Sequence, residues 1–291
     1  MRFTVLTLFP EMFSPLQASI LKRAQADGLI QVNVVNFREY ADNKHKCVDD
    51  VPYGGGAGMV LKPEPLFAAV RALPESSVSR KVILLSPQGR IFTQTLAEAL
   101  VCEDELVFIC GHYEGFDERV RTLADEEISL GDFVLTGGEL AAAVIIDAVA
   151  RLLPGVLGQS ESLKEESHGD GVLEYPQYTR PVDFEGRRVP EVLLSGHHAN
   201  IERWRRREAL WRTFQKRPDL FERATFSPAD YPLLEELRQE HPEMDVFAEK
   251  WRALAPLPKR RRGRESKQGN DTASESNLVP EKDPVQENSP V

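Results

Sequence analysis

The sequence predicts an α/β domain built on a largely parallel sheet, followed by a small, mostly helical domain. Three observations predict it. Strand-like and helix-like segments alternate through the first half of the 291-residue chain, a polar stretch without periodicity interrupts them, and helical spacing dominates the second half.

In chain order, strands are expected at FTVLTLF (3–9), IQVNVVNF (30–37), KVILLS (81–86), ELVFIC (105–110) and DFVLT (132–136). Helices are expected at PLQASILKRAQADG, PLFAAVRAL, TQTLAEALV and ELAAAVIIDAVARLL, the last stopped by Pro154 and Gly155. This places a first domain at 1–158. Residues 159–174, QSESLKEESHGDGVLE, read as a flexible linker or a loop that orders on binding. The extended segments YPQYTRP and VPEVLLSG, the helix NIERWRRREALWRTFQKR and two further helical stretches make a second domain at 175–255. The tail, 256–291, carries KRRRGR and then Ser, Asn, Glu and Pro without aromatic residues, a composition expected to be disordered.

Composition narrows the function classes. A net charge of -10 argues against a protein that coats nucleic acid over its whole surface, while leaving room for one basic face. The opening MRFTVLTLFPEMF is too short and too broken for an export signal, and LAAAVIIDAVARLL is interrupted by Asp147 and Arg151 and falls short of a membrane span. Cys47, Cys102 and Cys110 form neither a CxxC pair nor a cluster with histidine, so no disulfide framework or zinc site is expected and a cytoplasmic location fits.

Three expected strands run straight into loops of special composition: SPQGR, GHYEG and TGGEL. Ligands of open α/β sheets gather outside the carboxyl ends of strands, and backbone groups converging from three loops suit a purine and ribose better than a metal. The plainer alternative is that these glycines only make tight turns. No GxxxxGK[ST] and no GxGxxG after the first strand is present, which disfavours nucleotide hydrolases and ordinary dinucleotide enzymes. In SLGDFVLTGGEL, glycine stands at both ends of one short apolar run, as if something approaches the backbone there.

The ordered motifs VPYGGGAGMVLKPEP, LLSPQGR, CGHYEGFDERV, SLGDFVLTGGEL, RLLPGVLG, LEYPQYTRP and VLLSGHHANIERWR resemble the bacterial tRNA (guanine-N1)-methyltransferases that modify position 37, beside the anticodon. The resemblance covers roughly residues 1 to 250. It implies a SPOUT-type fold, whose chain ties a trefoil knot through these loops, S-adenosylmethionine bent inside the knot, and a homodimer with tRNA as substrate. It further implies cofactor contacts from Gly111, Leu130, Gly131, Asp132, Phe133, Val134 and Leu135, with Ser86, Tyr113, Glu114, Gly115, Gly137 and Gly138 lining the same cavity. For Phe133, a core strand position stands beside the adenine contact.

Methylating guanine at N1 requires removal of a proton while negative charge builds on the ring and O6, so a base and a cation are needed; the sulfonium methyl is already activated. The family's base is an aspartate opening a D-S-F or D-S-H motif in the linker. This chain has EESH there, with Glu166 at the aspartate's position and Glu165 beside it. Arg151 matches the arginine that supports the base or the guanine O6, though a cation near a helix C-terminus is also favoured by the helix dipole. Glu114 would hold the substrate or a magnesium ion, but one carboxylate does not define a metal site. The histidines form no metal-ligand spacing and read as polar or RNA-contacting side chains.

In IERWRRREALWRTFQKR, Ile201, Trp204, Trp211 and Phe214 fall on one side, and Arg205, Arg206, Arg212, Lys216 and Arg217 on the other. A cationic face with few compensating acids suits tRNA phosphates, with Arg205, Arg206, Arg212 and Lys216 as contacts. Two other function classes remain open: a knotted ribose 2′-O-methyltransferase, and a noncatalytic RNA-binding module keeping the pocket as a remnant.

Overall fold

Alternation along two inner strands decides how the sheet is covered. In the computed structural model, Ile83, Leu85, Leu106, Phe108 and Cys110 face one apolar cluster, while Val82, Leu84, Val107 and Ile109 face another. Successive side chains of a strand point to opposite faces, so a sheet buried on both sides needs continuous apolar runs such as ILL and LVFIC. The structure describes residues 1–74, 79–157, 167–168 and 171–255.

The five-stranded sheet is parallel throughout, in the order β2 (Gln31–Asn36), β1 (Arg2–Thr7), β6 (Glu105–Cys110), β5 (Arg80–Ile91), β7 (Glu126–Ser129). A short antiparallel pair, β3 (Asp49–Asp50) and β4 (Val60–Leu61), flanks the glycine-rich segment between them. Helices α1 (Ser19–Ala26), α3 (Gln94–Leu100) and α4 (Glu139–Ala150) bury Leu21, Leu96, Ile145 and Val149 in the first cluster. Helix α2 (Pro63–Arg71) buries Leu66 and Ala69 in the second.

Strand β5 does not run evenly beside β7. Leu85 and Arg90 both pair with Ile128, so the residues between them leave the ladder and return to it. Gly89 lies where they return: a Cβ there would stand 2.5 Å from the Ile128 nitrogen and 2.6 Å from the Glu127 carbonyl carbon. Only a residue without a side chain admits that approach of backbone to backbone.

The structure corrects several expectations. DFVLT is not a strand. Strand β7 ends at Ser129, whose hydroxyl accepts from Gly131 N–H at 3.2 Å and donates to Gly131 C=O at 3.0 Å. Phe133 N–H then donates to Gly131 C=O at 2.9 Å, so the chain curls instead of extending. The strand propensity of Phe-Val-Leu is overridden by this local hydrogen bonding. SPQGR, expected as a plain loop, lies within the span of β5. The first predicted helix is divided: a 3-10 segment at Pro10–Gln17 precedes α1, and between them Ala18 is extended (φ -125°, ψ 163°) and Ser19 has φ 51°. VPEVLLSG is not extended either: Glu191–Leu194 is helical (α5), after a hairpin of β8 (Asp183–Phe184) and β9 (Arg187–Arg188).

Beyond the hairpin, α6 (His198–Lys216), α7 (Pro218–Arg223), α8 (Tyr231–Glu240) and α9 (Glu249–Arg252) share a third apolar cluster containing Leu210, Phe221, Leu234, Leu237 and Trp251. The fully buried stripe of α6 is Ala209, Leu210 and Thr213, flanked by Arg206, while Trp211 and Phe214 of the expected apolar side pack half-buried against the same cluster. Thr213 ties it down: its hydroxyl donates to Ala209 C=O at 2.6 Å and accepts from Leu173 N–H at 2.8 Å.

Arg206 is turned inward as well. Its guanidinium donates to both oxygens of Asp230, at 2.7 and 3.1 Å, and the Asp230 side chain is 2% exposed. Burial alone would raise this carboxyl, but Arg206 and the Ser227 N–H and hydroxyl outweigh it, so its pKa stands below the ordinary value. A depressed folded pKa contributes stability that is full above the unfolded value of about 3.9 and is lost as pH falls through the folded value. Arg206→Ala should therefore lower stability by about 3 kcal/mol at neutral pH, since it strands a buried charge, and should remove that acid dependence. Thermal unfolding of both proteins between neutral and acid pH checks it; equal loss at every pH would contradict the ion-pair account.

Candidate active site

The three glycine loops meet. Ser86, Pro87 and Gln88 from the β5 excursion, Gly111 to Phe116 after β6, and the curled segment after β7 line one cavity of about 430 Å³ beside that excursion and the carboxyl ends of β6 and β7. That volume lies within the range of pockets that enclose a cofactor-sized molecule. Of the residues singled out in the sequence, Ser86, Gly111, Tyr113, Glu114, Gly115, Leu130, Phe133, Val134, Leu135, Gly137 and Gly138 line it. Gly131 and Asp132 do not.

Backbone conformation shapes the walls. Gly115 has φ 108°, open only to glycine, and Tyr113 has φ 59°, a left-handed conformation that costs a non-glycine residue of order 1 kcal/mol. Gly138 N–H donates to Gly111 C=O at 2.9 Å, and a Cβ at Gly138 would lie 2.9 Å from Cys110 Cα and 3.1 Å from Gly111 N. The second and third loops thus touch through main chain at this point.

Phe133 and Val134 are 54% and 81% exposed, so of the two readings of Phe133 the core strand position is not met, and both side chains form an apolar wall of the cavity. Among the described residues, the N–H groups of Val134, Leu135 and Thr136 make no hydrogen bond within the chain. Free donors beside apolar side chains fit a flat, polar-edged ring such as a purine.

Beyond Ser86 and Glu114, sequence reasoning missed the polar residues Gln88, Glu118 and Arg121 of the cavity. Arg121 reaches Gln88 Oε1 at 3.2 Å and Glu118 Oε2 at 2.9 Å, and also pairs with Glu127. Gln88 lies within the SPQGR motif, but nothing local announces a partner 33 residues away. His112, set aside as a polar side chain, also lines the cavity.

Arg151 follows α4 as its C-terminal capping residue, half-buried, its N–H donating to Asp147 C=O at 3.1 Å. Glu165 and Glu166 lie outside the described residues. Among the described residues, no group of three or more His, Cys, Asp or Glu gathers to hold a metal ion, and no helix is long and apolar enough to cross a membrane.

The basic face of α6 is more compensated than its sequence suggests, which corrects the expectation of few acids. Besides the Arg206 pair with Asp230, Arg203 pairs with Glu236, Arg207 with Glu240 and Arg217 with Asp219. Glu236 and Glu240 come from α8, Asp230 caps its amino end and Asp219 belongs to α7, hence α6 alone did not reveal them. Arg205 lies over the Tyr175 ring at 4.7 Å. Arg212 and exposed Lys216 form no ion pair among the described residues.

Residues 1–223 match the family described as tRNA (Guanine-1)-methyltransferase TrmD. The chain belongs to this methyltransferase family. It is 68% identical over 262 residues to the tRNA (guanine-N(1)-)-methyltransferase of Desulfitobacterium hafniense strain Y51, covering 90% of this chain and 100% of that one. It is 59% identical over 247 residues to the enzyme of the same name from Dehalococcoides mccartyi strain 195, covering 84% and 100%. With that of Clostridium perfringens strain SM101 it shares 55% identity over 234 residues, covering 80% and 99%. A methyltransferase requires a methyl donor, and the cavity among the three loops has the size and the free backbone donors to receive one.

Proposed function

We propose that this protein transfers a methyl group from S-adenosylmethionine to N1 of guanine at position 37 of tRNA, in the cytoplasm. The observation that carries the reading is the cavity into which the β5 excursion delivers Ser86 and the ends of β6 and β7 deliver the GHYEG loop and the curled FVLTGG segment, in a chain of this family. Main-chain groups of residues 130–136 hold the adenine and ribose. Leu130, Phe133 and Leu135 wall the ring. Orientation supplies most of the rate, because the sulfonium carries its own leaving group.

Glu166 takes the N1 proton and Arg151 steadies the negative charge that builds on the guanine, with Glu165 as the neighbouring carboxylate. Glu114 faces the cavity as one carboxylate; a magnesium ion held there would complete its shell with water and substrate oxygens.

The SPOUT-type trefoil knot is part of the reading. It is supported by the double passage of β5 past Ile128 and by the bare backbone contact at Gly89. A homodimer is supported by apolar Leu140 and Val144 on α4, each 50% exposed, one helical turn apart and continuous in sequence with the cavity wall. Residues 1–158 act as the methyl-donor domain, 159–174 as the linker bearing the base, and 175–255 as the tRNA-gripping domain.

For the grip we retain Arg212 and Lys216, with Arg205 beside them, and assign Arg206 to the fold. Converting Arg212 and Lys216 together to Glu should weaken tRNA binding and reduce the slope of log affinity against log salt by about 2. An unchanged slope returns that face to plain solvation.

The deciding assay is transfer of labelled methyl to unmodified tRNA carrying guanine at position 37, beside the same tRNA with adenine there, followed by digestion to nucleosides. N1-methylguanosine on the first alone supports the reading. Methyl on ribose, or on both tRNAs, overturns it.

A further inference from the structure

The cavity rests on a charged group that the reaction itself does not use. Glu139, the first residue of α4, is 2% exposed. A carboxylate taken out of water is costly unless hydrogen bonds and local dipoles replace the solvent. For one oxygen they do: Thr7 Oγ1 donates to Glu139 Oε1 at 2.8 Å, and itself accepts from Phe9 N–H at 2.9 Å. The amino end of α4 adds partial positive charge. The neighbouring Cys110 thiol is pushed well above its ordinary pKa, by burial first and by Glu139 second.

The other oxygen points at Gly137. A Cβ at that residue would collide with Glu139 Oε2 and stand 2.7 Å from His112 Nδ1, so the two polar atoms face each other across a bare Cα. Among the described residues His112 Nδ1 is buried and has no hydrogen-bond partner. Its ring is held between Phe9 and Tyr113, at centroid distances of 4.8 and 4.9 Å. His112 and Gly137 are also bridged through their backbones.

We infer that Glu139 is a positioning residue for the methyl donor: anchored on Thr7, it accepts a hydrogen bond from His112 Nδ1, directly or through one water, and so clamps the GHYEG loop to the TGG loop. A ring nitrogen buried without a partner and a carboxylate oxygen beside it satisfy one another only when the ring carries a proton on Nδ1. The inference rests on the cavity being the methyl-donor site, and adds what holds its two walls in register.

Glu139→Gln keeps the shape and still accepts from Thr7, but turns an amide N–H₂ toward His112. It should raise KM for S-adenosylmethionine, and the Kd of the demethylated product, about tenfold or more. The value of kcat should stay within about twofold, the split expected when binding alone is lost. In nitrogen-15 spectra of histidine-labelled protein without ligand, His112 Nδ1 should be protonated in the wild type and unprotonated in the variant. Thr7→Val should reproduce the KM rise and Thr7→Ser should restore it, which carries the same test should Glu139→Gln fail to fold. An unprotonated Nδ1 in the wild type, or an unmoved KM in both Glu139→Gln and Thr7→Val, overturns the clamp. Wild-type protein that binds no S-adenosylmethionine would instead overturn the reading of the cavity, while the ligand-free spectrum still decides the clamp.

Discussion

Gly89→Ala should be recovered largely insoluble, and what folds should unfold about 10 °C below the wild type. The added methyl would lie 2.5 Å from the Ile128 nitrogen and 2.6 Å from two main-chain carbons of β7. No rotamer change relieves it, because the obstacle is backbone. Overpacking that displaces a strand costs about 4 kcal/mol, at the severe end of single substitutions, and that amount in a domain of this size lowers Tm by about 10 °C. Gly28→Ala is the control. Gly28 has φ +72° with nothing within 4 Å of the added atom, so it should cost only about 1 kcal/mol for the left-handed backbone. Melting curves followed by circular dichroism compare the two. Equal losses would mean that the close approach of backbone at Gly89 carries no extra cost.

Glu166→Gln should lower kcat for methyl transfer by about 10² to 10⁴ and leave the affinity for S-adenosylmethionine near wild type. Glutamine keeps the volume and one acceptor but cannot take a proton from guanine N1. Glu165→Gln should change kcat by less than about threefold, since a carboxylate displaced by one residue no longer reaches the same proton. Single-turnover rates at saturating tRNA, with cofactor affinity measured by calorimetry, separate the outcomes. A steep loss in Glu165→Gln alone moves the base by one position. Full activity in both removes the base from the linker.

Legibility in the sequence followed the range of the interactions. KVILLS and ELVFIC read as strands because burial on both faces leaves continuous apolar runs, a signal carried by consecutive residues. The helices after Pro63 and after Gly138 were legible from spacing and stop signals. DFVLT misled because its side chains favour a strand, while the Ser129 hydroxyl and Gly131 carbonyl close a turn beneath it. Arg206 misled in the same way, its partner Asp230 standing 24 residues further on. The cavity residues were found mainly through ordered motifs, and the Glu139 to Thr7 contact, 132 residues long in sequence, was invisible to any local pattern.

The walls between the second and third loops are joined by main chain, at Gly138 N–H and Gly111 C=O, with free N–H groups along residues 134 to 136. Recognition written in amides is indifferent to most side-chain replacement. Leu130, Val134 or Leu135 can drift among apolar residues and the donor pattern presented to a ligand stays the same, because it is set by torsion angles. The glycines have no such latitude: a single methyl at 138 would meet Cys110 Cα at 2.9 Å. A compound that competes for this cavity through the amides would therefore confront a target with few viable escape substitutions, whereas one relying on contact with the Val134 side chain would be evaded readily.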